Sequence, residues 1–494
     1  MVELKSRSLE KFATTFGLLM TAVGWSVGSG NYWRFSWRAA NYGGGSFLFT
    51  YLVWLIVFAF AAAVAEYAIG KYGEGGVLIG PYNFAKRHKK LASFGGVWMA
   101  WSTALIYAYY GVVVGWIFIY MLLSWTGYFW RPDFDALALW NSIYNQTPAL
   151  VALILMFVMG LVVLSKGVRG VETVAKAMFP LLYIFTIILG IYALTVPGAR
   201  EGLEFYYTPR VEALKDPSTW MQSLSQVIWS AGIAWGFFIT AGAYMRKRDD
   251  VTLAAFGNIT NDSAVGWTAG LAIIPIIFAL SATPFEDIKA AGTGLAFVSL
   301  PRLLSTAPKS WGWPFAVLFF TAFWFAAFTS YITIWDVGSK IYKDLGVPKA
   351  KAALIFGLIW TIVGLPTTMP GTRDWLDYYD TVWGIAGLTV GLVFIALIVA
   401  YWHNAREVRE KINSVEPKPL IRLGSWWDIE LKLLPIIAAV FFFWWIGYKE
   451  WMQGWGAGLH AYYTFPGFLM LIIGGAIIYW SVNRVLNYMT GGGE

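Results

Sequence analysis

The chain contains no cysteine and only three histidines in 494 residues, and 13 % of it is charged. Without cysteine there is no disulfide framework, no thiol catalysis and no thiolate metal site. The histidines are scattered, without metal-ligand spacing. Ordinary globular chains carry about 25 % charged residues. Here the shortfall is made up by apolar side chains, at 58 % of the sequence, with 29 tryptophans among them. Apolar runs of about 20 residues, the length an α-helix needs to cross a bilayer, recur along the whole chain. No nucleophile–base–acid set or metal motif interrupts them, so an enzyme is not expected. The net charge of +8 does not point to nucleic acid. Lys and Arg sit in short loops between the apolar runs, as a topology signal does.

About twelve spanning segments are expected, with cores at 13–37, 45–70, 95–124, 148–165, 174–196, 221–244, 254–282, 313–340, 350–366, 380–402, 430–448 and 464–487. Lys5, Arg7 and Lys11 precede the first. Lys86, Arg87, Lys89 and Lys90 follow the second, Arg246, Lys247 and Arg248 the sixth, and Arg406, Arg409 and Lys411 the tenth. The intervening loops are poorer in basic residues, which by the positive-inside rule puts both termini in the cytoplasm. Trp and Tyr gather at segment ends (Trp125, Tyr128, Trp130), as in an interfacial belt. Residues 1–11 are polar and show no cleavable signal pattern. Asn145-Gln146-Thr147 matches a glycosylation sequon, a match too short to carry weight.

Two spans are interrupted. Gly24-Trp25-Ser26-Val27-Gly28-Ser29-Gly30-Asn31-Tyr32-Trp33-Arg34-Phe35 places glycines, polar groups and an arginine inside the first, and Gly43-Gly44-Gly45 follows. An unpaired backbone group in hydrocarbon costs several kcal/mol, so a helix breaks at membrane depth only where the freed groups line a cavity or hold an ion. Arg34 near mid-membrane costs roughly 2.5 kcal/mol or more and needs a partner or water. A second break falls in the sixth span, at Gln226-Val227-Ile228-Trp229-Ser230-Ala231-Gly232-Ile233-Ala234-Trp235-Gly236. Broken helices at corresponding positions of two five-helix halves point to an inverted repeat with a midplane binding site. A channel would instead need a continuous pore with rings of like charge or carbonyls, and none is evident.

At these residues the chain resembles the neurotransmitter:sodium symporter family. Gly30-Asn31, Trp33-Arg34-Phe35 and Gly43-Gly44-Gly45 carry the likeness in the first helix. Ser165-Lys166-Gly167-Val168 leading to Lys176 and Pro180 carries it at the fifth, and Leu214-Lys215-Asp216-Pro217, Trp220, Gln226 and Ser230 before the sixth. Ala326 with Thr329-Ser330 matches the eighth. The likeness runs from about residue 10 to 405. Ser36 stands where the family usually has proline. The resemblance implies an all-α, polytopic membrane protein of about twelve helices, a 5+5 inverted repeat with helices 1 and 6 broken. It forms one transporter domain over 1–494, with halves at 1–200 and 221–405 and two further helices in 428–490.

The resemblance also implies the sites. One sodium ion takes the Ser26 carbonyl, Asn31, Ser230 and Asp262. A second takes the carbonyls of Gly24, Val27 and Ala326 with the hydroxyls of Thr329 and Ser330. Those hydroxyls have an alternative, bonding to carbonyls of their own helix. Asp262 stands where chloride-dependent relatives have asparagine, and Gly266 lacks a chloride-site hydroxyl, while Tyr51 and Gln226 match that site. Chloride is therefore not expected to be required. Asn261 is the fallback ligand should the alignment slip by one. Gly28 replaces the aspartate of the monoamine branch, so a substrate carboxylate would meet backbone amides, helped by half-helix N-termini, and the Tyr110 hydroxyl. Trp25, Gly30, Ile106, Trp229, Gly232, Trp235, Ser330 and Ile334 fall at pocket positions, with Ala234-Trp235-Gly236 resembling the glycine transporters. The expected cargo is glycine or alanine. Sarcosine or betaine in a tryptophan cage, or a larger hydrophobic amino acid, are the alternatives. Arg34 with Asp380, and Phe35 with Trp235 as an aromatic lid, are the expected outer gate. Tyr244 with Asp344 is the inner one, with Phe12 in place of a family tryptophan and Arg7 two residues early. Glu66 is expected beside the broken first helix. The partners implied are an amino acid and the plasma-membrane bilayer, with the chain a monomer or homodimer.

Overall fold

The computed structural model describes residues 4–7, 10–144, 146–289, 294–369, 373–452 and 460–490. Asn145, the sequon asparagine, lies outside them. Every regular element within them is helical. Ten helices are long and apolar enough to cross a membrane: α2 Gly45–Gly73, α3 Lys89–Trp125, α4 Thr147–Leu164, α5 Val168–Ala193, α7 Val251–Leu280, α8 Lys309–Asp344, α9 Lys349–Thr368, α10 Trp375–Asn413, α11 Ser425–Tyr448 and α12 Pro466–Thr490. The two remaining expected spans are the broken ones. α1 is split into Thr15–Ser26, Ser29–Tyr32 and Arg34–Asn41, and α6 into Pro217–Ser230 and Phe237–Tyr244. The count of about twelve holds because breakage alone removes these two from the long set.

Local chemistry sets the starts. The Thr14 hydroxyl caps α1 by accepting from the Gly17 amide at 2.9 Å. Asp216 caps α6 through the Ser218 amide at 2.8 Å, with Pro217 at the first helical position. Asp250 caps α7 through the Thr252 amide at 2.7 Å. Each supplies an acceptor to an otherwise orphaned amide.

α3 and α8 form the centre, with 83 % of their most apolar stretches buried, whereas α4, α5, α9 and α11 bury 33 % and α12 28 %. The outer helices turn Val151, Ile154, Ile184, Ile191, Ile362 and Ile472 outward, an exposed ring of apolar side chains. α1 packs on α5, α7 and α8, and α6 on α2, and the two breaks meet at a common buried cavity.

Candidate functional site

α1 stops at Ser26. Val27 and Gly28 are extended, and the helix restarts at Ser29. A side chain at 28 would crowd the site: a Cβ there would lie 2.8 Å from the Ser330 hydroxyl and 3.2 Å from that of Tyr110. The freed amides are met locally. Gly28 N–H donates to Asn31 Oδ1 at 2.8 Å and Ser29 N–H to the Tyr110 hydroxyl at 3.0 Å. The freed carbonyls are met by α8. Ser330 Oγ donates to Gly24 O (3.2 Å) and Val27 O (2.9 Å), and Thr333 Oγ1 reaches Gly24 O at 3.3 Å. Thr329 does what its helix invites: its hydroxyl bonds Phe325 O at 2.7 Å and Ala326 O at 3.1 Å. The Ser36 hydroxyl bonds back to Tyr32 O at 2.8 Å.

α6 stops at Ser230 and restarts at Phe237. Between them Gly232, Ala234 and Gly236 are left-handed, at φ 72°, 65° and 74°. The Ala234 amide donates to Glu66 Oε1 at 2.6 Å, and Thr103 Oγ1 donates to Trp235 O at 2.7 Å. Glu66 thus serves the break in α6, not the one in α1 beside which it was expected.

Between the two breaks lies a polar cluster. Asn31 Nδ2 donates to Asp262 Oδ1 (2.7 Å) and lies 3.3 Å from Ser230 Oγ. Ser230 Oγ donates to Asp262 Oδ1 at 3.0 Å, and the Tyr51 hydroxyl reaches Asp262 Oδ2 at 3.3 Å. Sequence reasoning missed Asn258, one turn earlier on α7. Its Oδ1 accepts from Ser26 Oγ at 3.0 Å and its Nδ2 donates to Ala231 O at 3.2 Å, so it touches both breaks. A buried amide four residues before a buried carboxylate in an apolar helix was the available signal. Asn261 faces away, bonding the Tyr183 hydroxyl at 2.8 Å.

Trp25, Gly28, Gly30, Tyr110, Trp229, Ser230, Trp235, Ser330 and Ile334 line a cavity of 30 Å³, joined by Ser26, Asn31 and the unanticipated Phe237. Two expected wall residues are not in its lining. Gly232 packs against Phe237 and Phe238, and Ile106 is buried in the core. Trp229 and Trp235 meet edge to face, with centroids 5.0 Å apart, and Trp235 stacks on Phe237 at 5.0 Å.

Above the cavity the Arg34 guanidinium lies 4.1 Å from the Trp229 ring centre and 3.8 Å from Asp380, which accepts from the Tyr109 hydroxyl at 2.7 Å. Phe35 is not part of this roof. Its ring turns away, packing edge-on against Phe47 and Tyr51 at 5.6 and 5.1 Å and covering Gly266. One helical turn of α1 cannot point Arg34 and Phe35 the same way, and the apolar ring takes the core side.

The opposite end is shut by the N-terminal segment. Phe12 packs edge-on against Trp25 and Tyr244, and its amide donates to Tyr244 O at 3.0 Å. The Arg7 amide donates to Asp344 O at 3.1 Å. Tyr244 and Asp344 each bond a lysine rather than each other: Lys343 Nζ reaches the Tyr244 hydroxyl at 2.5 Å, and Lys340 pairs with Asp344. Asp344 also accepts from Ser6 Oγ at 2.6 Å and the Gly76 amide at 2.8 Å.

The model of the sodium:neurotransmitter symporter family matches residues 9–132 and 126–489. An uncharacterised sodium-dependent transporter of Methanocaldococcus jannaschii is 28 % identical over 437 residues, covering 85 % of this chain and 86 % of that protein. A sodium- and chloride-dependent betaine transporter of Caenorhabditis elegans is 25 % identical over 461 residues, covering 81 % and 75 %. Among solved structures, MhsT in complex with L-phenylalanine superposes with a TM-score of 0.78 at 28 % identity, covering 88 % of this chain and 99 % of MhsT. The chain therefore belongs to the sodium:neurotransmitter symporter family, as a sodium-dependent secondary transporter and not an enzyme.

Proposed function

We propose that this protein imports glycine or alanine with two sodium ions, by alternating access, across the cell membrane, with both termini cytoplasmic. The observation that carries the substrate is the size of the cavity between the breaks. Its 30 Å³ offers room for about two water centres, and indole rings close it on several sides. A substrate carboxylate would meet the Ser29 amide and the Tyr110 hydroxyl, already 3.0 Å apart. One sodium ion would use Ser26, Asn31, Ser230 and Asp262, and Asn258 is added to that set. The other would use the carbonyls of Gly24, Val27 and Ala326 with Thr329 and Ser330, displacing the hydroxyl hydrogen bonds now made there. Asp262, bonded to Tyr51 and Ser230, supplies the fixed negative charge that makes chloride unnecessary. Each sodium charge entering down a 100 mV potential yields roughly 2.3 kcal/mol.

A second reading is favoured by the perpendicular Trp229–Trp235 pair: a methylated ammonium held by cation–π contacts worth roughly 0.5–2 kcal/mol each. The betaine transporter among the relatives makes sarcosine and betaine the compounds to compare. The test is thermal stabilisation of the purified protein by an amino-acid and methylamine panel, in sodium and in potassium. Stabilisation by glycine or alanine in sodium alone supports the first reading, and by sarcosine or betaine alone the second. Best stabilisation by phenylalanine, the ligand of MhsT, rejects both. A response that is the same in potassium removes the sodium assignment.

A further inference from the structure

On the face that carries the N-terminal segment, a second cavity of 580 Å³ lies between that segment and the ends of α2, α6, α8 and α10. Its charge is strongly one-sided. Glu74 is the single carboxylate among its described lining residues, against seven cations. Two of the seven are already neutralised, Arg246 by Asp249 at 2.7 Å and Lys340 by Asp344. Lys5, Lys11, Lys71, Lys247 and Lys411 remain, an excess of four positive charges once Glu74 is set against them. Asp250, outside the lining, caps α7 and accepts from the Leu420 amide; its charge also acts on Lys71, which brings the local excess down to three.

Three of the five cations are held in place. Lys11 Nζ donates to Ala243 O at 2.8 Å and Lys71 Nζ to Asp249 O at 2.5 Å. Lys411 lies 4.3 Å from the Tyr72 ring centre, and the buried Tyr72 hydroxyl has no hydrogen-bond partner among the described residues. Burial and the neighbouring Lys340 ammonium lower Lys11 below the ordinary lysine range, so a nearby anion would relieve it. A topology signal alone does not need this convergence. Lys86 and Lys90, basic residues between α2 and the first turn of α3, are exposed on the surface, Lys86 paired with Glu407 and Lys90 with Asn487.

We propose that this cavity binds a phosphoryl anion, held by Lys5, Lys11, Lys71, Lys247 and Lys411, and that the bound anion straps residues 4–7 and 10–12 to the bundle. A multiply charged phosphoryl group meets an excess of about three charges that chloride does not, and lysine binds phosphate as a point charge. Two cations come from the segment and three from the bundle, so the same anion bridges both. The phosphoryl group can belong to a soluble phosphoanhydride or to a lipid headgroup at the membrane face.

The test uses the full chain in a neutral detergent at constant ionic strength, titrated calorimetrically with pyrophosphate. Saturable binding is expected. The exposed double substitution Lys247→Gln/Lys411→Gln should weaken it about tenfold, and Arg87→Gln/Lys90→Gln should leave it unchanged. Pyrophosphate should also slow tryptic cleavage after Lys5, Arg7 and Lys11. Displacement of pyrophosphate by phosphatidic acid in phosphatidylcholine nanodiscs assigns the site to a lipid headgroup. Binding that resists phosphatidic acid assigns it to a soluble anion. No saturable binding, or equal loss in the Arg87/Lys90 variant, overturns the proposal. Lys247→Gln alone, on an exposed turn, provides the same contrast should the double variant fold poorly.

Discussion

The two breaks free similar stretches of backbone and are repaired in different ways. At α1, neutral groups do the work: the Asn31 amide and Tyr110 hydroxyl take the freed N–H groups, and Ser330 and Thr333 hydroxyls take the carbonyls. At α6, a buried carboxyl from α2 takes the Ala234 amide, and left-handed residues set the path of the chain. The difference separates an exchangeable break from a fixed one. A hydroxyl that donates to a carbonyl can turn, so that both oxygens face a cation, at little cost. The Glu66 contact has no such alternative, because its loss leaves an amide unpaired in the core.

The comparison can be broken most severely at Gly28. Gly28→Ala should weaken sodium-dependent substrate binding by roughly 100-fold, the upper range for one misplaced carbon in a pocket. The Cβ meets two hydroxyls that the site uses, and the fold should survive. Equal binding by the variant in a scintillation-proximity assay would show that the α1 break is not the substrate site. Next comes Glu66→Ala, expected to cost about 1–3 kcal/mol through the unpaired Ala234 amide, read as a fall in melting temperature. Glu66→Gln, which keeps an acceptor oxygen, should recover most of it. Ser330→Ala is the counterpart at α1. Its stability cost should be smaller, at about 1 kcal/mol or less, since Thr333 still reaches Gly24 O, while sodium stabilisation should be largely lost. A larger stability cost for Ser330→Ala than for Glu66→Ala would reverse the assignment of fixed and exchangeable breaks. Asp262→Asn should leave the fold intact and make sodium-dependent binding sensitive to chloride, measured by exchanging chloride for gluconate. The smallest effect is at Ala234. Left-handed backbone costs a non-glycine residue roughly 1–2 kcal/mol, so Ala234→Gly should raise the melting temperature slightly and leave substrate affinity unchanged.

Much of this was legible in the chain. Both breaks and the set of about twelve spans follow from glycine placement and apolar run length, and most of the cavity wall from the family resemblance. The misjudged residues share one cause. Asn258 was missed because it shares a helix face with Asp262, four residues on, and periodicity does not say that it too reaches the breaks. Phe35 follows Arg34 in an interrupted helix, where the direction of each side chain depends on how the helix resumes. Glu66 was read beside the wrong break because several helices separate it in sequence from Ala234. Gly232 and Ile106 fall at wall positions by resemblance yet pack behind the wall.

The sequence by itself determined where the helices run and where two of them fail. In hydrocarbon each segment must satisfy its own backbone, and that requirement is local to the segment. The tertiary structure alone decided which side chains repair each failure, how small a cavity the tryptophans leave, and that cations from the N-terminal segment and from the bundle face one space. Those outcomes depend on contacts between residues far apart in the chain, and side-chain spacing along a single helix carries no information about its neighbours.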